Sequence, residues 1–245
     1  MGAGGLLLFF LLWEAAVRTG LLTSALVPAP SAIPRAFVAE IRRGVWLRMI
    51  LGSLSHYFRG LLLGSVLGIA IGALAALSAV FRDLHAWLAR LLRPIPPLAW
   101  IPFAIVWFGI SSTAASFIIG IGVFWINYFA ASDAISRVDP DLLEVARAFG
   151  HRGFGSRLRR VILPASLPGI VTGLRTGLGM GWMTVVAAEL FGIAGIGQRM
   201  MEASGLLATE IVVVYMLTIA MLYGVTDAVF GLIQRSLLSW LPSSS

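Results

Sequence analysis

Residues that commonly carry catalysis or bind metals are few in this chain and lie far apart. The three histidines, His56, His85 and His151, show no ligand spacing such as HExxH, and the sequence contains no cysteine. Zinc sites, thiolate nucleophiles and disulfides need these residues at defined spacings, so none is predicted. Paired carboxylates or a histidine-rich cluster are also missing from the sequence pattern, which argues against a membrane-embedded enzyme.

The 18 basic residues are all arginines. A nucleotide-binding P-loop of the form GxxxxGK[ST] requires a lysine, so the chain cannot hydrolyse ATP by that route. The net charge of +7 raises the question of nucleic-acid binding. However, the arginines lie in short segments between apolar stretches, where the positive-inside rule of membrane proteins explains them. No cofactor, metal or nucleic acid is therefore expected on this chain.

The composition is that of a membrane protein. Hydrophobic residues make up 59% of the sequence and charged residues only 12%, with a mean hydropathy of +0.93. A soluble core of this size could not bury so much apolar surface, and the excess must face lipid. We therefore expect an all-α, polytopic membrane protein with a single domain over residues 1–245 and a core at about 50–235.

Six membrane spans are predicted from apolar stretches, several of which reach the length that a helix needs to cross a bilayer. The first carries Glu14 and Arg18, four residues apart on one helical face, where they can pair. No basic segment precedes this stretch and no clear cleavage site follows, so we interpret it as a retained span and not as a signal peptide. The predicted spans cover about residues 5–22, 57–80, 103–109, 114–132, 167–191 and 209–232.

Prolines and glycines punctuate these spans. The prolines of residues 26–34 and 91–102 prevent regular helix there, and residues 35–48 mix arginines with apolar side chains in the manner of an interfacial helix. Glycines four residues apart allow close helix packing, which we favour over a direct role in transport. They are Gly60, Gly64, Gly68 and Gly72 in the second span, and Gly169, Gly173, Gly177 and Gly181 in the fifth.

The longest polar stretch, residues 133–160, lies between the fourth and fifth spans. Residues 140–149 begin with proline and aspartate and contain good helix formers, which predicts a short helix that ends at Gly150. A second basic piece, Phe154 to Leu163, leads towards Pro164. The pattern indicates a helix–glycine–helix module that docks on a soluble partner, or alternatively a solvated loop. Arginine counts place it in the cytoplasm with the amino terminus, although the external residues 35–48 are more basic than the rule predicts.

This module resembles the EAA loop of permeases in binding-protein-dependent ATP-binding-cassette (ABC) importers. Its pattern is E-A-A, three residues, Gly, nine residues and I-x-L-P. Val145 replaces the first alanine, and ten residues instead of nine follow Gly150, which we place in the HRGFGS turn. The matching residues are Glu144, Ala146, Gly150, Val161 (conservatively), Leu163 and Pro164.

The resemblance extends over about residues 26–240. LVPAPSAIP, LLRPIPPLAWIPFAIVWFGI, GLRTGLGMGWMTVVAAELF and GIGQRMMEA are similar to segments of the nitrate, sulfonate and taurine importer permeases. It implies the type I ABC importer permease fold in a bacterial cytoplasmic (inner) membrane. It also implies two copies of an ABC ATPase that bind ATP and Mg, a second permease copy as a homodimer, and an extracytoplasmic substrate-binding protein.

In such importers the EAA helix fits a groove on the ATPase, whose closure rocks the two permeases between inward-open and outward-open states. Carried over to this chain, the coupling loop covers residues 133–164. Its expected docking residues are Glu144, Ala146, Arg147, Gly150, Arg152, Leu163 and Pro164.

For the translocation pathway we expect residues of the fourth and fifth spans. A carboxylate deep in a span costs about 2.5–3.5 kcal/mol, so Glu189 should face protein or water, as a pathway residue or as a structural partner. Arg175 is expected to snorkel near the cytoplasmic end of its helix. The candidate pathway residues are Trp125, Asn127, Met180, Met183, Thr184 and Glu189.

The alternative function is an ion-coupled secondary transporter, which predicts internal repeats and a network of intramembrane acidic residues. No convincing repeat is visible and acidic residues within the spans are few, so the ATP-driven importer is favoured. The resemblance implies a small cargo such as a sulfonate, taurine, nitrate or bicarbonate-like anion, or a thiamine-precursor-like compound.

Overall fold

The computed structural model describes residues 2–240, and every regular element in that range is helical, which confirms the all-α class. A 3-10 turn covers Pro97–Trp100 and a π turn covers Leu158–Ile162. The helices are α1 (Gly2–Arg18), α2 (Ala32–Arg42), α3 (Val45–Leu77), α4 (Ala79–Leu92), α5 (Ile101–Phe108), α6 (Ser112–Ser136), α7 (Pro140–Ala148), α8 (Phe154–Arg157), α9 (Leu163–Glu189), α10 (Ile196–Gly205) and α11 (Thr209–Leu237).

Four helical segments of the described range are long and apolar enough to cross a bilayer: α3, α6, α8 continued by α9, and α11. They correspond to the second, fourth, fifth and sixth predicted spans. The third corresponds to Pro97–Phe108, which forms a pair with α4 bent by 94° and supplies a fifth crossing if the pair counts as one. The first corresponds to α1, whose 17 residues are near the lower limit of about 17 for a crossing helix.

Helix α6 lies between α3 and α9, and both contacts are made by glycines. On one side, Gly64, Gly68 and Gly72 of α3 face backbone carbonyls of α6 so closely that a Cβ would collide with them. On the other side, Gly169 and Gly173 of α9 face alanine side chains of α6. Pairing order along the chain shows that α3 runs parallel to α6 and α9 antiparallel. The predicted packing role of both glycine rows is confirmed.

These directions define the two ends of the bundle. Helix α7 follows the carboxyl end of α6, and we call this side the loop end. The amino-terminal ends of α3 and α6, the carboxyl end of α9 and helix α10 lie at the opposite end. The predicted helix over residues 35–48 is wrong in extent, because Gly44 at φ +66° separates α2 from α3, which begins at Val45.

A buried ion pair braces the opposite end. Glu40 of α2 is fully buried and accepts hydrogen bonds from Arg199 of α10, at 2.7 and 3.0 Å, and from the Tyr215 hydroxyl of α11, at 2.8 Å. The Arg199 guanidinium holds the pKa of Glu40 below its ordinary value of 4.5, with help from Tyr215, and the carboxylate in turn raises the pKa of Arg199. Three helices are thereby joined by one carboxylate.

The amino-terminal helix is tied to α2 in a similar way. Glu14 accepts the backbone N–H of Ser31 at 3.0 Å and its hydroxyl at 2.7 Å, where Ser31 precedes the first turn of α2. It also accepts Arg18 Nε at 2.7 Å, which confirms the predicted pairing of these two residues. The end of α1 is thus held against the start of α2 by a single side chain.

We expect Gly68→Ala to destabilise the protein by about 1–3 kcal/mol, because its Cβ would overlap the α6 backbone at Phe124 and cannot be relieved by a rotamer change. The matched control is Gly224→Ala in α11, where no atom lies within 4 Å of the added Cβ and helix propensity alone predicts equal or greater stability. Thermal unfolding followed by circular dichroism in detergent measures both. Equal midpoints for the two variants would contradict the close α3–α6 contact.

The Glu40–Arg199 pair predicts an acid-sensitive brace. Since the folded-state pKa of Glu40 is lowered, its contribution is complete above the ordinary value of 4.5 and is lost as the pH falls from there through the folded pKa. Glu40→Gln should destabilise at pH 7 by about 1–3 kcal/mol, because Arg199 loses its buried charged partner and keeps only the more exposed Glu202, and it should flatten the acid limb of a stability–pH profile. Glu202→Gln is the control, since its more exposed carboxylate is 3.3 Å from Arg199. If the free energy of unfolding of Glu40→Gln falls as steeply at acid pH as that of the wild type, the ion pair does not act as this brace.

Candidate coupling loop and transport surface

The start of α7 follows directly from its sequence. The Asp139 carboxylate accepts the backbone N–H of Asp141 at 2.9 Å, which caps the first turn, and Pro140 occupies the first helical position, where a missing N–H leaves no unmade bond. The helix ends at Ala148, one residue before the predicted Phe149. Local sequence therefore determines the position of this helix.

Gly150 ends α7 in the left-handed conformation, at φ +87°. The N–H of His151 donates to Ala146 O at 2.9 Å and the N–H of Gly150 donates to Arg147 O at 3.1 Å. This pair of bonds is the Schellman motif, which needs a residue that tolerates positive φ. The predicted glycine turn is thus confirmed.

His151 stabilises the turn that follows. Its Nε2 accepts from Arg160 Nη1 at 3.3 Å, and its Nδ1 is 3.1 Å from the Ser156 hydroxyl, to which the remaining ring proton can be donated. The histidine therefore links Gly150 to the second half of the module. It therefore serves the structure of the loop.

Helix α7 exposes both charge and apolar surface. Glu144 and Arg147 are exposed, and so is Arg152 in the turn beyond, whereas Ala146 is buried against the rest of the module. Leu142, Val145 and Phe149 are apolar and also exposed, which was not predicted. Their spacing of three and four residues places them on one side of the helix and could have indicated this apolar side.

These apolar side chains line an open cleft of 660 Å³ between α7, the start of α9 and Trp240. Pro164 lies on the opposite wall of the cleft, and Leu163 is exposed beside it. Phe149 is 79% exposed and lies with Leu142 and Val145 on this one cleft, and exposed apolar side chains grouped in this way are typical of interaction surfaces. The loop end thus presents an unfilled apolar cleft with charged side chains around it.

The second half of the module differs from the expected separate helix over 154–163. Helix α8 passes through the π turn at Leu158–Ile162 into α9, so that residues 154–189 form one continuous helix. Pro164 does not break it, because the wider π turn precedes the proline, whose ring would collide with the preceding turn of a regular α-helix. A π turn contains one residue more than an α turn, so the extra residue after Gly150 can be taken up here instead of in the HRGFGS turn.

The six candidate pathway residues occupy two different environments. Trp125 and Met180 line a cleft of 460 Å³ between α6, α9 and the proline-rich turn before α5, and Met183 is 76% exposed one turn further along α9. Asn127, Thr184 and Glu189 are buried within the packed helices. The structure therefore places Trp125 and Met180 on one open cleft and Met183 on the exposed surface of α9 beyond it, and we call this surface the open side of α9. The other three candidates lie within the packed helices.

Asn127 and Thr184 bond within the bundle. Asn127 lies where α6 meets both neighbours, and its amide donates to Ser65 Oγ at 3.2 Å and to Val123 O at 3.1 Å. The Thr184 hydroxyl donates to Met180 O at 2.8 Å. Both side chains support the open side of α9 without reaching it.

Glu189 lies in a fully buried polar cluster at the opposite end. Its Oε2 accepts from the Ser53 hydroxyl at 2.8 Å and from the Gly197 N–H at 2.9 Å, and its Oε1 is 2.9 Å from His56 Nδ1. An ionised carboxylate can only accept, so it would accept a hydrogen bond from Nδ1, and Nε2 lies 3.1 Å from Ser112 Oγ.

The cluster joins α3, α6, α9 and α10. Ser53 Oγ also accepts the Ile196 N–H at 2.8 Å, so two free N–H groups at the start of α10 are satisfied by side chains. A negative group at a helix amino terminus is favourable. Gly195 lies so close to the Glu189 carboxylate that a Cβ would overlap it.

Sequence reasoning missed two sets of partners. Ser53, His56 and Ser112 are far from Glu189 along the chain, and no local pattern links them to it. Arg175 does not merely snorkel: its Nε and Nη2 each donate at 2.8 Å to the two oxygens of Asp227 in α11. This pairing could have been predicted, because an arginine and an aspartate within apolar spans are expected to pair with each other.

The fold and the loop together define the class of protein. Residues 64–239 match the family described as "Binding-protein-dependent transport system inner membrane component", and the chain belongs to this family. A chain in the inward-facing structures of the MetNI methionine ABC transporter shares the fold, with a TM-score of 0.68 over 81% of this chain and 98% of that one, at 22% identity. The protein is therefore an ABC importer permease, as the EAA resemblance implied.

Within this class the chain is similar to two permeases in particular. The SsuC protein of Bacillus subtilis, assigned to aliphatic sulfonate transport, is 32% identical over 230 residues, which cover 94% of this chain and 83% of that protein. The taurine transport system permease protein TauC of Escherichia coli is 29% identical over 250 residues, 98% of this chain and 89% of that one. The expected likeness to the sulfonate and taurine permeases is confirmed.

Glu189→Gln should destabilise the opposite end by about 1–3 kcal/mol, because the amide nitrogen cannot accept from the buried donors that the carboxylate serves. Thermal unfolding and proteolytic sensitivity of residues 190–205 would both report the change, and uptake should fall with them. Glu210→Gln at the same end is the matched control, since the Glu210 side chain makes no hydrogen bond within the described residues. If Glu189→Gln leaves stability, complex assembly and uptake untouched, the carboxylate has neither a structural nor a transport role.

Proposed function

We propose that this chain is the membrane subunit of an ATP-driven importer, which forms the translocation pathway for a small nutrient delivered by an external binding protein. The observation that carries the proposal is the module from α7 to the π turn, with its helix held by Gly150 and its exposed apolar cleft. The family to which the chain belongs supports the same function. We treat residues 1–245 as one permease domain.

Helix α7 has the properties of a docking element. Exposed apolar side chains three and four residues apart are those with which an amphipathic helix enters a groove on another protein. Glu144, Arg147 and Arg152 surround them and supply charge complementarity, while Leu163 and Pro164 form the adjoining surface. Ala146 supports α7 from behind, and Gly150 holds the angle of the turn. The partner is an ATPase subunit that binds ATP and Mg.

The position of the module explains how docking is transmitted. It lies between α6 and the helix that continues into α9, and these two helices pack tightly through the glycines of α9. A displacement of α7 must therefore move both helices together. The complex would contain two ATPases and two copies of this chain, arranged as a homodimer. ATP-driven closure of the ATPases would then expose the open sides of α9 alternately to the two sides of the membrane.

The cargo surface in this proposal is the open side of α9 with Trp125, Met180 and Met183. Asn127, Thr184 and Glu189 contribute by holding this surface in position from within the bundle. The similarity to SsuC and TauC favours a sulfonate or taurine-like anion, with nitrate, bicarbonate or a thiamine precursor as further candidates. The loop end faces the cytoplasm of a bacterial inner membrane, together with the amino terminus, and the opposite end receives the binding protein.

Gly150→Ala should weaken the coupling of ATP hydrolysis to transport by about tenfold, because the left-handed conformation costs a residue with a Cβ about 1–2 kcal/mol. No atom lies within 4 Å of the added Cβ, so the backbone conformation alone is tested. Gly153→Ala in the same loop is the matched control, since Gly153 has φ −72° and accepts alanine without strain. The measurement is transport-coupled ATPase activity of the reconstituted complex.

Two results would contradict the proposal. One is normal coupled ATPase activity in a Gly150→Val variant, whose β-branched side chain is still less compatible with positive φ. The other is purification of the wild-type permease in an active form without an ATPase in equal number. The second result would favour the ion-coupled secondary transporter.

A further inference from the structure

The ion pair of Arg175 and Asp227 lies on the surface of the chain and within two long apolar helices. The guanidinium of Arg175 in α9 donates from Nε and Nη2 to the two carboxylate oxygens of Asp227 in α11, both at 2.8 Å. The side chains are nonetheless 47% and 27% exposed. Neither the proposed docking element nor the proposed cargo surface makes use of this pair.

Lipid is excluded as the neighbour of this surface. Charged side chains within membrane helices face protein or a water-filled cavity, because hydrocarbon cannot solvate them. The side chains around the pair are also polar, since Thr172 and Thr176 of α9 and Tyr223 of α11 are exposed there. We call Thr172, Arg175, Thr176, Tyr223 and Asp227 the polar strip.

The polar strip continues into the proposed cargo surface. Met180 and Met183 follow Thr176 by four and seven residues, so they lie along the same side of α9. By contrast, the exposed side chains of α3 at Leu62, Val66 and Leu67 are apolar in the manner of a surface in contact with lipid, and the exposed Arg59 lies one turn nearer the opposite end. Water that reaches Met183 along α9 would therefore also reach the polar strip.

The guanidinium has donors to spare. Of its five N–H groups, Asp227 accepts one from Nε and one from Nη2, and the other three make no hydrogen bond to any residue between 2 and 240. Free guanidinium donors bind carboxylate, sulfonate and similar oxyanions with defined geometry. Asp227 meanwhile holds the arginine in place and offsets its charge, which would allow an anion to bind and leave again.

We propose that the polar strip is a water-lined wall of the translocation pathway, and that Arg175, held by Asp227, favours anionic over cationic solutes there. This inference rests on the proposed function. It assigns to Arg175 a role in selecting the charge of the cargo, and to Asp227 a role in positioning Arg175. Both assignments can be tested without knowledge of the natural cargo.

The absence of cysteine from the sequence makes single-cysteine labelling direct. Thr172→Cys would be reacted, in the permease–ATPase complex in liposomes, with an anionic sulfonatoethyl and a cationic trimethylammonioethyl methanethiosulfonate. Each rate is divided by that of a free thiol in solution. Thr172 precedes Arg175 by three residues and is its neighbour on the helix. Both reagents should react, with the normalised ratio favouring the anion.

Removing the charge should then move the ratio in a defined direction. In the Thr172→Cys background, Arg175→Gln should lower the anion-to-cation ratio by about tenfold, the effect of one unit charge a few ångströms away in a partly aqueous site. Arg175→Lys should retain most of the preference. Val66→Cys, a substitution of similar size on the apolar side of α3, is the control and should react with neither reagent.

The double variant Arg175→Asp with Asp227→Arg exchanges the two charges and keeps an ion pair between α9 and α11. It provides the same test if Arg175→Gln does not fold. It should bring the ratio below that of the wild type, because a carboxylate now lies beside Thr172. A ratio that neither Arg175→Gln nor the exchange alters would overturn the role in charge selection.

The remaining outcomes separate this inference from the proposed function. In one outcome, the Thr172→Cys complex contains its ATPase and hydrolyses ATP, but the cysteine reacts with neither reagent. This result would overturn the water-lined wall and leave the importer function standing. A wild-type permease that assembles with no ATPase would overturn the importer function and, with it, this inference.

Discussion

Close contact between α6 and its two neighbours is the constraint on which the rest of this structure depends. In a bilayer, lipid is as apolar as a leucine side chain, so burying apolar surface does not hold helices together as it does in water. Packing contacts and polar bonds must do so instead. The glycines of α3 bring that helix against the backbone of α6, those of α9 bring α9 against small side chains of α6, and any side chain added at the tightest positions would separate the helices.

Helices α3, α6 and α9 form a packed unit that connects the two ends of the molecule. The helix from residue 154 to Glu189 contains 36 residues, which corresponds to about 54 Å at 1.5 Å per residue. It begins beside α7 at the loop end and finishes in the Glu189 cluster at the opposite end. There the carboxylate holds α3 and the start of α10 to α9. Movement at the loop end can therefore reach α10 through one helix and one buried group.

Polar residues are used sparingly, and each set has its own place. Glu14 and Glu40 hold α1 and α2 to their neighbours, Glu189 closes the opposite end, and Asn127 lies at the crossing of three helices. Among the ion pairs of residues 2–240, only that of Arg175 and Asp227 joins two long apolar helices and is also substantially exposed. That combination distinguishes it from the structural bonds and explains why its surface is assigned to water.

Much of the architecture was predictable from residues that act on their chain neighbours. Long apolar stretches identified the long helices, Pro140 and Gly150 marked the limits of α7 to within a residue, and the four-residue glycine spacing indicated close packing. Where local signals competed, prediction was less accurate: Gly44 divided a helix expected over residues 35–48, and the π turn carried α8 through Pro164 into α9.

By itself, the sequence determined the helical class, the glycine rows and the position of α7, because these depend on propensity, capping and backbone freedom over a few residues. Only the tertiary structure decided that Glu189 binds Ser53 and His56, that Asp227 holds Arg175, and that Asn127 and Thr184 lie behind the open side of α9. The reason is geometric. The partners are far apart in the chain, and which side chains meet depends on how each helix is rotated about its axis, a property that is set only when the helices pack.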